Sequence, residues 1–433
     1  MSAHLAQLEM LLRSGPLSPK QLIERMGVSQ PTLSRAINAV GQAIVRIGKA
    51  RSIQYALRDQ RRGLPNIAVH RVSVEGTVRP LGTLIPVFPE GFVMAQADGL
   101  TLHSDGLPWW LFDMRPQGFL GRTWAIRHGA ELGLPENLNQ WGDTHALKAL
   151  LAHGHDVGGN LILGDACRNR FIESPDPIPL SADDYATLAM AAEHGDLPGS
   201  SAGGEQPKFI AFNGQQHVIV KFSASGSNEV SQRWRDLLLA EHHALAVLGT
   251  QSVIFDTGDR RFLEVERFDR VGKRGRRSVH SLMALDAEFV GAGDAPWPVL
   301  VARLANEGIV RDDAVAGALH MYAFGTLIGN TDMHAGNLAF TAEHGRPYDL
   351  APAYDMLPMA FAPRANGAVL NDIPPARLHP GVSGETWRSA LDLAAKFVER
   401  IEQDSRFSAA WLPCLSTLRS HIAEAQAKIS RLD

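Results

Sequence analysis

The feature that most constrains this chain is a pair of polar loops between residues 329 and 356. Asp332 and Asn337 lie five residues apart in the first loop, and Asp355 follows a predicted strand, a polar turn and a second strand. Such a hairpin brings the second carboxylate close to the first loop. Phosphoryl transfer needs a carboxylate that accepts the proton of the attacking hydroxyl, and oxygen ligands that hold Mg²⁺ against nucleotide phosphates. The pattern therefore predicts Asp332 as a catalytic base and Asn337 and Asp355 as ligands of Mg²⁺.

Length and composition predict a soluble globular protein of several domains. The chain has 433 residues, of which 45% are hydrophobic. Its first residues lack the basic region and apolar run of a secretory signal, and no apolar run is long enough to span a membrane. Cys167 and Cys414 are the only cysteines, which disfavours a disulfide framework and a Cys-based zinc site. We therefore expect a cytoplasmic protein without a membrane partner.

The N-terminal segment differs from the rest of the chain in charge. Residues 1–62 contain ten Lys and Arg residues and three acidic residues, a net charge of +7, whereas the whole chain has −4. The remainder therefore carries −11. This asymmetry indicates a basic module that contacts a polyanion.

The apolar pattern of the same segment predicts three helices and a β-hairpin. Leucines recur at helical spacing between residues 5 and 12. Ser18, with Gln21 three residues later, predicts a capping box for a second helix, and Ser29 caps a third helix that ends near Val40. Two short strands around a basic tip follow. This order is typical of a winged helix-turn-helix.

In such a module the third helix and the tip of the wing contact DNA. The side chains in those places are Gln30, Ser34, Arg35, Asn38, Lys49 and Arg51. The alternative is a three-helix module that docks onto protein.

A glycine-rich segment between residues 199 and 208 predicts a phosphate-binding turn. It lacks the spacing of a Walker-type P-loop, which disfavours that class of ATPase. Its backbone N–H groups, including those of Gly203 and Gly204, can still lie over phosphates. Two strands joined by a strong hairpin signal follow. Lys221, near the end of the second strand, is expected to contact the phosphates, with Lys208 in a supporting role.

A long helix is predicted after these strands, over residues 235–248. Glu241 lies in its apolar-periodic part and is expected to position Lys221, with Glu229 as the alternative. The next strand ends in Val265–Phe268, a segment expected to form the adenine-binding hinge. Glu266 and Phe268 are the candidate contacts in it. Arg267 and Arg270, in and just after this segment, are expected to form ion pairs between the two lobes of the predicted domain.

Five motifs in this order resemble the HipA family of serine/threonine protein kinases, the toxins of bacterial toxin–antitoxin pairs. They are Ser201-Ala-Gly-Gly-Glu-Gln-Pro-Lys, Val220-Lys-Phe, Glu266-Arg-Phe-Asp-Arg, Gly329-Asn-Thr-Asp-Met-His-Ala-Gly-Asn and Leu350-Ala-Pro-Ala-Tyr-Asp. The resemblance covers about residues 66–433. The better-known members lack a fused winged helix, because their DNA-binding partner is a separate antitoxin. With its fused module, the chain is similar to a stand-alone branch of the family.

The resemblance implies ATP and Mg²⁺ as cofactors and the same roles for Asp332, Asn337, Asp355 and Lys221. It also implies autophosphorylation of Ser201, which expels the glycine-rich loop and switches the kinase off. This effect is physically reasonable because a phosphate inside a phosphate-binding loop repels the ligand.

Two assignments within these motifs have alternatives. Ser200 competes with Ser201 as the phosphorylated residue. His334 could shuttle protons or could orient its loop through a hydrogen bond.

The predicted fold class is α+β with four units. They are a winged helix-turn-helix over 1–62, a small β-rich subdomain over 63–145, the nucleotide-binding lobe of a two-lobed kinase-like domain over 146–275, and its all-α catalytic lobe over 276–433.

The predicted function is an ATP- and Mg²⁺-dependent serine/threonine protein kinase that acts on an unidentified protein and carries a DNA-binding module. A separate antitoxin is a further possible partner. One alternative is a DNA-binding regulator with a silent kinase-like domain, against which the intact Asp/Asn/Asp set argues. Another is a small-molecule phosphotransferase of the aminoglycoside type, which the Gln206-Pro-Lys and Thr331-Asp-Met-His contexts disfavour.

Overall fold

The computed structural model describes residues 2–193, 206–343 and 345–432, without the side chains of Ser2 and Arg51. Ser200, Ser201, Gly203 and Gly204, which the sequence predicts to act in the glycine-rich loop, lie outside these residues. Among the described residues, no helix combines the length and the apolar character needed to cross a membrane.

The α-helices are α1 (Ser2–Leu12), α2 (Pro19–Met26), α3 (Gln30–Val40), α4 (Gly118–His128), α5 (Asp143–His153), α6 (Asp165–Glu173), α7 (Ala182–Glu193), α8 (Glu229–Val247), α9 (Leu282–Leu285), α10 (Trp297–Asn306), α11 (Asp312–Leu327), α12 (Gly384–Gln403) and α13 (Leu412–Ile429). The strands are β1 (Ile44–Ile47), β2 (Gln54–Leu57), β3 (Ile67–Val72), β4 (Val78–Val87), β5 (Gly91–Gln96), β6 (Thr101–Ser104), β7 (Leu161–Leu163), β8 (Lys208–Phe212), β9 (His217–Phe222), β10 (Ser252–Thr257), β11 (Arg260–Glu266), β12 (Arg270–Val271), β13 (Gly275–Arg276), β14 (Ser278–Ser281), β15 (Ala339–Ala342) and β16 (Asp349–Leu350).

The first unit consists of three helices followed by the antiparallel hairpin β1–β2. Ser18 and Gln21 form the predicted capping box at the start of α2. Ser29 is the N-cap residue of α3, but its hydroxyl bonds to Thr32 Oγ1 (3.0 Å) and makes no backbone cap. The order of elements is the one predicted for residues 1–62, and the assignment to the winged-helix class stays a prediction. The core of the unit contains Leu8, Leu12, Leu22 and Leu33.

The β1–β2 hairpin packs against the second unit. At its tip, Gly48 N donates a hydrogen bond to Thr101 Oγ1 of β6 (2.7 Å). Because one face of the hairpin is buried in this way, the first unit is anchored to its neighbour by more than the connecting chain. The shared apolar cluster contains Val45, Ile47, Ala56, Ile85, Val87 and Val93.

The second unit is built on a five-stranded antiparallel sheet in the order β6-β5-β4-β3-β7. β7 pairs with β3, with Leu163 opposite Val69 and Leu161 opposite Arg71. The sheet therefore includes residues beyond 145, the predicted end of this unit. The chain returns to the edge of β3 only after α5, a long-range pairing that local patterns do not reveal.

The predicted nucleotide-binding lobe contains a four-stranded antiparallel sheet in the order β10-β11-β9-β8. Helix α8 packs on this sheet and buries Leu237, Leu238 and Ala244 in a core shared with Leu263 of β11. This packing turns one face of α8, including Glu241, toward β9.

The predicted catalytic lobe is mainly helical, and α10 to α13 surround the buried rings of Trp297, Trp387 and Trp411. The prediction of an all-α lobe is wrong, because β14, β15 and β16 form a three-stranded antiparallel sheet. β14 pairs with the edge of the predicted hairpin and extends it from two strands to three. This small sheet supports the loops that carry Asp332 and Asp355.

A buried cluster of charges joins the end of β11 to the second unit. Asp269 accepts hydrogen bonds from Arg267 Nε (3.0 Å), Arg270 Nη1 (2.5 Å) and Gly159 N (3.0 Å). Arg270 also donates to Asp156 Oδ1 (2.8 Å). The prediction that Arg267 and Arg270 form ion pairs between the two lobes is wrong, because their carboxylate partners are the neighbouring Asp269 and, for Arg270, Asp156 of the second unit. Burial opposes the ionisation of Asp269, but Arg267 and Arg270 lower its pKa overall.

We expect Asp269→Asn to destabilise the protein, because Arg267 would keep a buried charge without a carboxylate and Arg270 would retain only Asp156. Removing one partner of a buried ion pair costs about 3–5 kcal/mol in the free energy of unfolding, which a urea titration measures. Since the folded-state pKa lies below the value of about 3.9 in an unfolded chain, this stabilisation is present at neutral pH and disappears as the pH falls below about 4. Asp176→Asn, which removes an exposed ion pair, is the control. Equal urea midpoints for the two variants would contradict the expectation.

Candidate active site

A cavity of about 670 Å³ lies between the four-stranded sheet and the loops that follow α11. One wall comes from the second unit, including Phe112 and Gln117. The other walls contain most of the residues that the sequence predicts for nucleotide binding and catalysis. They are Lys208, Lys221, Glu241, Glu266, Phe268, Asp332, His334, Asn337 and Asp355.

Lys221 joins two carboxylates that come from distant parts of the chain. It lies on β9 opposite Leu263 of β11 and is only 5% exposed. Its Nζ donates to Glu241 Oε1 on α8 (2.5 Å) and to Asp355 Oδ1. Burial alone would lower the pKa of Lys221, but Asp355 and Glu241 raise it, so the side chain is charged at neutral pH. The alternative carboxylate, Glu229, is exposed at the start of α8.

A second lysine shares this environment. Lys208 is the first residue of β8, lies opposite Lys221 in the strand register, and is 3% exposed. Burial alone would raise the pKa of Asp355, but the ammonium groups of Lys221 and Lys208 lower it. Two lysines therefore keep this carboxylate ionised inside the cavity.

Asp355 has an unusual backbone conformation. Its φ of 49° lies in the left-handed region, which residues other than glycine adopt uncommonly. Such a conformation costs about 1–3 kcal/mol and persists only where the surrounding contacts impose it. Residues of this kind cluster at functional sites.

The loop that carries Asp332 is held by its own side chains. Asn337 Nδ2 donates to Asp332 O (2.8 Å), and Gly336 N donates to His334 Nδ1 (2.9 Å). Trp297 Nε1 donates to His334 O (3.0 Å). His334 therefore makes the loop-orienting hydrogen bond that was one of its two predicted roles.

Burial also affects the candidate base. It raises the pKa of Asp332 above its ordinary value, an effect that His334 counteracts in part and Asp355 reinforces. A raised pKa favours proton acceptance by a carboxylate.

The predicted hinge lies at the end of β11 and faces the same cavity. The ring of Phe268 lies 5.8 Å from that of Tyr354, measured between centroids. Tyr354 in turn donates its hydroxyl hydrogen to Gly336 O (2.9 Å). Tyr354 thus links the predicted hinge to the loop that carries Asp332. It was not predicted as a site residue, although its place next to Asp355 in the last motif was a usable signal.

The donors of the site fit Mg²⁺. Within the described ranges, no three His, Cys, Asp or Glu side chains are grouped as a metal site. Mg²⁺ does not require such a group, because it keeps several waters and binds through one or two carboxylates together with phosphates. Asp355 offers carboxylate oxygen. Asn337 uses its amide nitrogen on Asp332 O, which leaves its oxygen as the atom suited to a cation.

The residues predicted to contact DNA lie in the first unit and not at this cavity. Those on α3 are exposed, and Arg35 Nε also bonds to Pro31 O (3.3 Å). Lys49 is exposed at the tip of the hairpin, and the Arg51 side chain is outside the described part of the chain. The exposed residues on α3 are Gln30, Ser34, Arg35 and Asn38.

Comparison with known sequences defines the class of protein to which this fold and site correspond. Residues 200–421 match the family of HipA-like C-terminal domains, and residues 64–172 match the middle domain of YjjJ-like toxins. The chain is 36% identical to toxin YjjJ of Escherichia coli (strain K12) over 444 residues, covering 99% of this chain and all of that protein. The chain therefore belongs to the HipA-like toxin family, in its YjjJ-like branch. The resemblance predicted from the five motifs is confirmed.

Two solved structures are similar at low sequence identity. One is the HipA, HipB and operator DNA complex of the Shewanella oneidensis MR-1 toxin–antitoxin system, with 15% identity, a TM-score of 0.43, and coverage of 84% of this chain and 97% of the other. The second is the Helicobacter pylori proinflammatory kinase CtkA, with 15% identity, a TM-score of 0.37, and coverage of 52% and 90%.

We expect Lys221→Met to destabilise the protein, because the buried Glu241 and the partly buried Asp355 would lose their shared cation. Glu241→Gln in the same chain should restore part of the loss, since it removes one of the two uncompensated charges. A double-mutant cycle on urea midpoints should give a coupling free energy of about 0.5–3 kcal/mol. Strict additivity of the two substitutions would show that the contact carries no such coupling.

Proposed function

We propose that this protein is an ATP- and Mg²⁺-dependent serine/threonine protein kinase of the HipA toxin type. The observation that carries the proposal is the convergence of Lys221, Asp332, Asn337 and Asp355 on one cavity. Membership of the HipA-like toxin family supports it. The alternative of a catalytically silent domain is less consistent with a site that retains all of these side chains.

Each side chain has a role that its contacts support. Asp332 would orient the acceptor hydroxyl and take its proton, a role suited to its raised pKa. Lys221, held by Glu241, would turn from Asp355 to the nucleotide phosphates. Asn337 and Asp355 would hold Mg²⁺ through oxygen atoms, and the bound ion would neutralise charge on the transferred phosphoryl group.

The backbone of the hinge would hold the adenine. Val265 and Phe268 line the cavity at the end of β11, which makes the backbone of this segment the candidate for hydrogen bonds to a nucleobase. Glu266 lies between them, at the last position of the strand.

Regulation by autophosphorylation is part of the proposal. Ser201, with Ser200 as the alternative, lies in the glycine-rich segment within the matched residues 200–421. A phosphate on that segment would be repelled by bound ATP and would favour an open loop.

The first unit is proposed to bind DNA through α3. The net charge of +7 over residues 1–62 and the exposed polar face of α3 support this role. The wing packs on the second unit, and Gly48 at its tip bonds to Thr101. The polar face of α3 and the Lys49 side chain remain exposed.

We expect Asp332→Asn to reduce phosphoryl transfer by about 10²–10⁴-fold, the range for loss of a general base. The assay uses the purified full-length protein, γ-labelled ATP and Mg²⁺, with mapping of the labelled serine. Because the pKa of Asp332 is raised, the wild-type rate should rise with pH through a midpoint above the ordinary value of about 3.9. Asp392→Asn, an exposed change on α12, is the control.

Three outcomes of this assay separate the candidate functions. Label on a serine of the chain or on an added protein supports a protein kinase. Label on a small molecule supports a phosphotransferase of the aminoglycoside type, and no label in any acceptor supports a silent domain. Equal rates for wild type and Asp332→Asn would remove Asp332 from the mechanism.

We expect Arg35→Ala to weaken binding to duplex DNA by about 1–3 kcal/mol if Arg35 reads a base, or to reduce the salt dependence by about one unit of slope if it contacts a phosphate. Fluorescence anisotropy with a labelled duplex over a series of salt concentrations distinguishes the two results. Lys396→Ala removes an exposed charge of the catalytic lobe and should change neither quantity. Identical behaviour of the two variants would argue for the protein-docking alternative.

A further inference from the structure

A buried amide lies between the two loops of the candidate active site. Helix α11 ends at Leu327, and Gly329, with a left-handed φ of 74°, turns the chain away from the helix just before Asn330. The Asn330 backbone N–H donates to Gly325 O (2.8 Å), and the residue is only 5% exposed. Its side chain is therefore held inside the protein with little contact with solvent.

The side chain of Asn330 contacts the backbone of both loops. Its Oδ1 accepts a hydrogen bond from Asp332 N (3.1 Å), and its Nδ2 donates to Asp355 O (3.3 Å). The orientation of the amide follows from these partners, because a backbone N–H only donates and a carbonyl oxygen only accepts. One planar group thus sets the separation between the backbone of the candidate base and that of the candidate metal ligand.

Few other side chains could make both contacts. Asp has the size of Asn but, when ionised, only accepts hydrogen bonds. Leu offers neither a donor nor an acceptor. The need for a donor and an acceptor on one short, buried side chain explains why an amide is suited to this position.

The contact to Asp355 has a second consequence. Asp355 is in the strained left-handed conformation, and such a residue relaxes unless its neighbours hold it. The Nδ2 hydrogen bond acts on the carbonyl of that residue, next to the carboxylate that pairs with Lys221. Loss of this hydrogen bond would allow the Asp355 carboxylate to move away from the loop that carries Asp332.

We propose that Asn330 is a positioning residue that couples the Asp332 loop to the Asp355 loop, so that base and metal ligand keep the separation needed for transfer. The inference rests on the proposed kinase function for its catalytic consequence. The link between the two loops itself does not depend on that function.

Two substitutions separate the two hydrogen bonds. Asn330→Asp keeps an acceptor for Asp332 N and loses the donor to Asp355 O, whereas Asn330→Ala loses both. Asn137→Ala is the matched control, because Asn137 makes the same bond to the backbone N–H two residues later (Asn139 N, 2.9 Å) in an exposed turn of the second unit.

The first measurement is amide hydrogen exchange on the full-length protein without ligands. We expect Asn330→Ala to speed exchange in peptides covering both 329–338 and 351–357. Asn330→Asp should speed exchange mainly in 351–357, and Asn137→Ala in neither. Unchanged exchange in either loop of Asn330→Ala would overturn the coupling.

The second measurement is steady-state transfer from ATP at varied Mg²⁺. Misplacement of reacting groups costs about 10²-fold in rate, and loss of a group that orients a metal ligand costs about 10–100-fold in metal affinity. We therefore expect Asn330→Ala to lower kcat by about 10²-fold and to raise the half-saturating Mg²⁺ concentration by at least about 10-fold, with less change in the KM for ATP.

These results distinguish the possible failures. A purely structural role would reduce the yield of folded protein while kcat per folded molecule and the Mg²⁺ requirement stay at wild-type values, and that result would overturn the proposal. A wild-type protein that transfers phosphate to no acceptor would overturn the proposed function, and hydrogen exchange would still decide whether Asn330 couples the loops.

Discussion

The arrangement of the candidate site depends on the buried ammonium group of Lys221. It holds Glu241 of α8 and Asp355 of the loop that follows β16, so one cation joins a strand, a helix and a loop that are distant in sequence. Removing charged groups from water costs several kcal/mol for each ion, and attraction offsets that cost only when the geometry is good. The three groups therefore hold one another in place, and each would be destabilising alone.

The second unit belongs to the same construction and is more than an appended domain. It supplies Phe112 and Gln117 to the wall of the cavity, and its Asp156 contacts Arg270 next to the predicted hinge. The β1–β2 hairpin packs on the other part of its sheet. The unit thus contacts both the hinge and the proposed DNA-binding module, which gives a physical route by which an event at one could affect the other.

The parts of the structure that could be predicted from sequence are those that local chemistry determines. The capping box at Ser18, the strand that carries Lys221 and the hairpin before Asp355 each follow from a few adjacent residues. The return of β7 to the edge of β3 could not be predicted, because strand pairing across more than 85 residues leaves no local pattern. The packing of the hairpin on the second unit is hidden for the same reason. Asn330 lies inside the motif that begins at Gly329, but only the distances to Asp332 N and Asp355 O show what its amide does.

The charges of the cavity bear on the proposal that a divalent cation binds together with a nucleotide. Among the described lining residues there are three cationic side chains, Lys208, Lys221 and Arg267, and six carboxyl groups, including Asp332 and Asp355. Arg267 is already paired with Asp269, and Lys221 with two carboxylates. A triphosphate that entered alone would meet the ionised carboxylate of Asp355, close to the residues that would act on it. If Asp355 holds Mg²⁺ as proposed, Lys221 would lose one of its two carboxylate partners and could bond to the phosphates instead. The Lys221–Asp355 contact would then couple the binding of metal to the binding of nucleotide.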